Sequence, residues 1–139
     1  MSKYDFKHFG SFEIKEERIL YTPFIAQKDS KDIHKVYVWV QRGTEERVIY
    51  VGKTKNSVQK RMAEHRQGFK GKLNNGSVSG SKKYNFLIKA FSQGYSFEVW
   101  AREAELGTIE INGLISNKLS FFSIEEEYFI EQFKPILNK

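Results

Sequence analysis

The sequence contains no cysteine. Disulfides and thiolate zinc sites are therefore excluded, and the composition fits a reducing compartment, so a cytoplasmic protein is expected. No apolar run is long enough to cross a membrane, and no membrane partner is expected. The opening stretch, MSKYDFKHFGSFEIK, mixes charges and lacks the apolar core of a secretory leader. Also absent are H-E-x-x-H, G-x-S-x-G and the Walker phosphate loop, which leaves metalloprotease, serine hydrolase and NTPase chemistry without support.

What is present suits one folded domain spanning residues 1–139. The chain is 40% hydrophobic and 15% aromatic, enough for a proper core, and 29% charged. Its formal net charge is +6 and its isoelectric point is near 9.4. The basic residues are localised: Lys53, Lys55, Lys60, Arg61, Arg66, Lys70, Lys72, Lys82 and Lys83 fall in one third of the chain. Many soluble domains are simply basic, but a stripe confined in this way is the electrostatic footprint of a polyanionic partner.

Residues 1–34 carry Phe6, Phe9, Phe12, Ile14, Ile19, Leu20, Tyr21, Phe24 and Ile25. That is too apolar for a disordered tail. This arm is expected to pack on the domain, contributing an edge strand or a dimer contact, so a homodimer is one expectation. Asp29 to Asp32 reads as a linker into the core, which covers 35–139. Val36–Val40 and Arg47–Val51 are β-branched and aromatic runs separated by a turn, hence a hairpin. Gly52 is expected to end the second strand. Asn56 or Ser57 can cap the helix that follows, and Gly68 can stop it. Residues 69–81, rich in Gly, Ser and Asn, read as a loop. Tyr84, Leu87, Ile88 and Phe91 then form a helical stripe ending near Gly94, and Tyr95–Ala101 alternates as a third core strand. Thr108–Ile111 with Asn112-Gly113 suggests a short strand and turn. A last helix starts at 120–123 and stops near Phe133, before Pro135.

Two blocks of this chain resemble one family. Lys35-Val36-Tyr37 and Tyr50-Val51-Gly52 look like degenerate copies of the paired motifs of the GIY-YIG nucleases, with Lys35 where the first glycine belongs. Arg61 and His65 sit on the following helix at the family's spacing, and Lys53–Asn56 resembles its lysine-bearing loop. Far downstream, Glu126, Pro135 and Asn138 match the spacing of the closing helix, basic-proline step and asparagine. The resemblance implies an α+β fold: a small central, mainly antiparallel three-stranded sheet flanked by helices. It also implies a one-metal endonuclease that hydrolyses DNA, of restriction or mobile-element type, using Mg²⁺ (or Mn²⁺). In those terms Tyr37 activates water, Tyr50 orients the phosphate or the base, and Lys53 assists activation. Arg61 stabilises the transition state, Glu126 holds the metal, and His65 relays a proton or contacts phosphate. Asn138 braces the site or caps the final turn. Lys55, Lys60, Arg66, Lys70, Lys72, Lys82 and Lys83 would contact DNA.

Each role has an alternative. Ser123-Ile124-Glu125-Glu126 fits a capping box, in which Glu126 reaches back to the helix start rather than to a metal. Strand tyrosines are commonly just core, and a helical arginine is commonly a surface residue. As a base, a phenol titrating near ~10 needs nearby cations to lower its pKa, and Lys53, Arg61 and the metal are the candidates. The rival function is a non-catalytic nucleic-acid-binding module, a degenerate nuclease that keeps the basic stripe and stacking aromatics.

Overall fold

Val36, Val38 and Val40 alternate with Tyr37 and Trp39, and both sets are buried, so this strand must have cover on both faces. In the computed structural model, which describes residues 1–69 and 78–138, it does. The strands are β1 (Lys7–Lys15), β2 (Arg18–Pro23), β3 (Lys35–Arg42), β4 (Arg47–Thr54) and β5 (Ser96–Glu103). They form one antiparallel sheet in the order β2-β1-β5-β3-β4. The expected three-stranded sheet is therefore five-stranded. The arm supplies the extra pair, because Phe9 and Phe12 of β1 join the core only by pairing with β5.

Helices α1 (Val58–Phe69) and α2 (Val78–Ser92) cover one face, over Tyr37, Trp39, Phe97, Met62 and Leu87. Helix α3 (Phe122–Phe133) covers the other, where Phe129 packs with Phe6, Val36, Val38 and Val51. Each such fully buried side chain contributes roughly 1.5–3 kcal/mol. A separate hairpin, β6 (Leu106–Ile111) and β7 (Leu114–Ser120), turns at Asn112-Gly113, both at positive φ. Lys70 and Lys72, with most of the Gly/Ser/Asn run, lie outside the described residues. Val78 to Ser81, expected in that loop, already belong to α2. Among the described residues, no helix is long and apolar enough to cross a membrane.

Two glycines expected to end elements lie inside them. Gly52 is within β4, where a side chain would collide with the ring and hydroxyl of Tyr37. Gly68 is in the last turn of α1, and a Cβ on Gly80 of α2 would meet its backbone. Gly52 thus serves close approach rather than termination, whereas Gly68 stands one residue before the end of α1, close to where it was expected to stop the helix.

Candidate active site

The site is built at one end of the β3–β4 hairpin. Register pairs Tyr37 with Gly52 and Trp39 with Tyr50, so both tyrosines and the tryptophan share the face under α1. The start of α1 is tightly held. Ser57 Oγ accepts the Lys60 amide at 3.1 Å, and Asn56 Oδ1 accepts that of Ser57 at 2.8 Å. From before β3, the Asp29 carboxylate accepts the amides of Val58 and Gln59 at 2.7 and 2.9 Å. Asp29, expected in a linker, is thus an acid at a helix N-terminus, where charge and free amides favour it.

One turn further in, Arg61 and His65 point from α1 to the tyrosines. The Tyr37 hydroxyl lies 2.6 Å from His65 Nε2, and the Arg61 guanidinium is near enough to favour the ionised phenol. A neutral imidazole with its proton on Nδ1 accepts the phenol proton at Nε2, and with its proton on Nε2 it donates to the phenol oxygen instead. Tyr37 and His65 are both buried. Burial raises the Tyr37 pKa, Tyr50 adds to the rise, and Arg61 opposes it without prevailing. The expected net lowering by cations is therefore reversed, because desolvation of the phenolate outweighs the one guanidinium. Lys53 takes no part, since it faces α3. Burial, followed by Arg61 and Lys83, pushes His65 down to about 2, so it is a neutral acceptor and not a surface histidine.

Tyr50 closes the cluster. Its ring lies 6.1 Å from that of Tyr37, and Lys83 Nζ sits 4.4 Å above it. Burial lowers the Lys83 pKa and Arg61 lowers it further. Lys83, expected as a DNA contact, is also a cation in the tyrosine cluster. Its place in the basic stripe was legible, but the fold that lays it on Tyr50 was not. Tyr50 also feels Glu126, which raises its pKa after burial has done so.

Glu126 comes from α3, on the other face of the sheet, and meets Lys53 of β4 there. Its carboxylate lies 3.6 Å from Lys53 Nζ, which also donates to Ser123 Oγ at 2.9 Å. The capping box is not formed: Phe121 is the N-cap without a side-chain bond, and Ser123 lies within the helix. Asn138, in the closing 3-10 turn, donates to Val51 O and accepts from Val51 N, both at 2.8 Å. It braces the free edge of β4 next to Tyr50 rather than joining the cluster. Among the described residues expected to contact DNA, Lys55, Lys60 and Lys82 are exposed and Arg66 and Lys83 are partly so, which leaves an accessible basic surface.

No group of three or more His, Cys, Asp or Glu is gathered for a metal among the described residues. The donors around Glu126 nonetheless fit a hard cation. Magnesium commonly binds through one or two carboxylates, its remaining positions filled by water and substrate phosphate. Glu126 is one such carboxylate, one-fifth exposed beside a hydroxyl, with no soft ligand nearby.

His65 carries a pH prediction. Its value is 6.5 unfolded and about 2 folded, so between them the unfolded chain binds more protons. Stability should therefore fall as pH drops below that unfolded value, by up to about 1.4 kcal/mol per pH unit from this group. Denaturant midpoints measured from neutral pH down to about pH 5 should show a shallower slope for His65→Gln than for wild type. Equal slopes would contradict the buried, neutral imidazole.

Comparison with known proteins places this geometry. Two solved structures share the fold. One is a mutant of bacteriophage T4 EndoII (20% identity, TM-score 0.69, covering 97% of this chain and 92% of that one). The other is the restriction endonuclease HPY188I in complex with product DNA (19% identity, TM-score 0.57, covering 99% and 78%). No curated protein sequence matches. The GIY-YIG catalytic domain matches residues 33–138, from the linker before Tyr37 to the asparagine that braces β4, and the chain belongs to that family.

Proposed function

We propose that the protein is a metal-dependent endonuclease that hydrolyses DNA phosphodiester bonds, of restriction or mobile-element type. The observation that carries this is the meeting of Tyr37, Tyr50, Arg61 and His65 on one face of the β3–β4 hairpin, with Glu126 brought to Lys53 of β4 by α3 from the other face. Family membership and the fold shared with a DNA-bound restriction endonuclease support it.

Arg61 lies near the buried Tyr37 phenol and favours its ionised form. A DNA phosphate would draw the guanidinium outward, opening the phenol to water and pairing the scissile oxygens with a planar fork of donors. Removing Arg61 from beside His65 also removes one of the cations that depress the imidazole. As water attacks phosphorus, its proton passes to the Tyr37 oxygen while the phenol proton passes to His65 Nε2. The oxygen of water bonds to phosphorus, the bond to the leaving sugar oxygen breaks, and that oxygen takes a proton from solvent. Glu126 would hold the divalent cation, which supplies Lewis-acid stabilisation of the leaving oxygen. Lys53, 3.6 Å from that carboxylate, holds Glu126 in place.

Tyr37→Phe tests the relay directly, because it removes one hydroxyl and almost no volume. Plasmid cleavage with Mg²⁺ should fall by about 10²-fold, the usual worth of a positioned proton carrier. Unaltered cleavage would show that the phenol takes no part. Wild type that leaves plasmid intact with Mg²⁺, yet still binds it, would favour the non-catalytic module. Binding itself should weaken with salt. Lys60→Ala with Lys82→Ala should flatten the plot of log K against log salt by about 0.9 for each phosphate no longer neutralised. An unchanged slope would move the DNA path away from this surface.

A further inference from the structure

A charged side chain is buried at the very start of β3. Lys35 is only 2% exposed. Its ammonium donates to Ser30 O at 2.6 Å, Asn56 O at 3.1 Å and Ile33 O at 3.2 Å, with Asp29 Oδ1 at 4.0 Å. An ammonium has three donors, and here three carbonyls accept them, so the charge is fully satisfied. A shell of carbonyls with one carboxylate is what a bound monovalent cation would find, and Lys35 fills it permanently.

These acceptors come from both sides of the hairpin. Ser30 and Ile33 precede β3, and Asn56 follows β4. Asp29 extends the network, since its two oxygens take the Val58 and Gln59 amides that open α1. One continuous chain of contacts thus runs from Lys35 into the first turn of the helix bearing Arg61 and His65. Tyr37 stands two residues from Lys35 on the same strand. The lysine also occupies the place of the family motif's first glycine, a residue with no side chain to reach such a cage.

We propose that Lys35 is a positioning residue: its ammonium locks residues 29–33 and Asn56 together and sets the height of α1 above Tyr37. Its kinetic readout rests on the nuclease assignment. Its structural readout, exchange of the Val58 and Gln59 amides, does not.

K35M keeps the aliphatic stem and removes the ammonium. In Mg²⁺-dependent plasmid cleavage, kcat should drop about 10²-fold, the cost of a small misplacement of catalytic groups. KM for DNA should change little, and the Val58 and Gln59 amides should exchange faster. In K35A, added propylammonium should restore cleavage and slow that exchange, whereas tetramethylammonium, which has no N–H, should do neither. Wild-type kcat and exchange in K35M, or equal effects of the two ammonium ions in K35A, would overturn the proposal. If K35M fails to fold, D29N decides. It keeps the shape of a partly exposed side chain, and it should speed the same amides and lower kcat at constant KM. Wild-type exchange and kcat in D29N would overturn the lock. If wild type does not cleave DNA at all, the nuclease assignment fails, and amide exchange with its ammonium rescue judges Lys35 alone.

Discussion

Glu126→Gln is expected to lower Mg²⁺-dependent DNA cleavage by about 10³-fold or more, since a bound cation is worth several kcal/mol of transition-state charge stabilisation. The change keeps size and hydrogen bonding but removes the charge that a hard cation requires. It also removes the ion pair to Lys53, a half-exposed interaction whose removal is small for stability. Thermal melts and DNA affinity should therefore stay near wild type while turnover collapses. The helix keeps its cap, because the start of α3 does not use the Glu126 carboxylate. Wild-type cleavage by this variant would sink the assignment of Glu126 as the metal ligand, whatever the fold.

Arg61→Ala should be nearly as severe, with kcat falling about 10³-fold, the lower end of what an arginine contributes to phosphoryl transfer. The guanidinium that would meet developing charge on the phosphate is gone. Ground-state DNA affinity should fall only modestly, because the remaining basic residues still neutralise their phosphates. Single-turnover rates beside binding isotherms separate the two. A loss seen in affinity but not in kcat would make Arg61 an ordinary DNA contact.

Much of this arrangement was legible along the chain because it is local. The β3–β4 hairpin followed from two β-branched runs about a charged turn, the α1 cap from Ser57, and the end of α3 from Pro135. The β6–β7 turn followed from Asn112-Gly113. What escaped depends on neighbours distant in sequence. The arm could be seen to be apolar, but not that β1 pairs with β5, some ninety residues away, and so widens the sheet to five strands. Gly52 read as a terminator because the ring that crowds it comes from another element. Ser123-x-x-Glu126 satisfies a capping pattern, yet Lys53 claims the serine and the helix begins one residue earlier. Lys83 looked like its fellow lysines until the fold laid it over Tyr50.

The crossing of α1 and α2 at Gly68 and Gly80 bears on more than packing. Helix α1 carries Arg61 and α2 carries Lys83, and Arg61 helps to lower the Lys83 pKa. The two helices are like the arms of pincers with a pivot of bare backbone, and the gape between the two cations depends on how closely that pivot closes. A methyl group at the pivot would act as a shim, spreading both cations away from Tyr50 at once. The spacing of the two cations around Tyr50 is therefore set from a crossing that carries no side chain of its own.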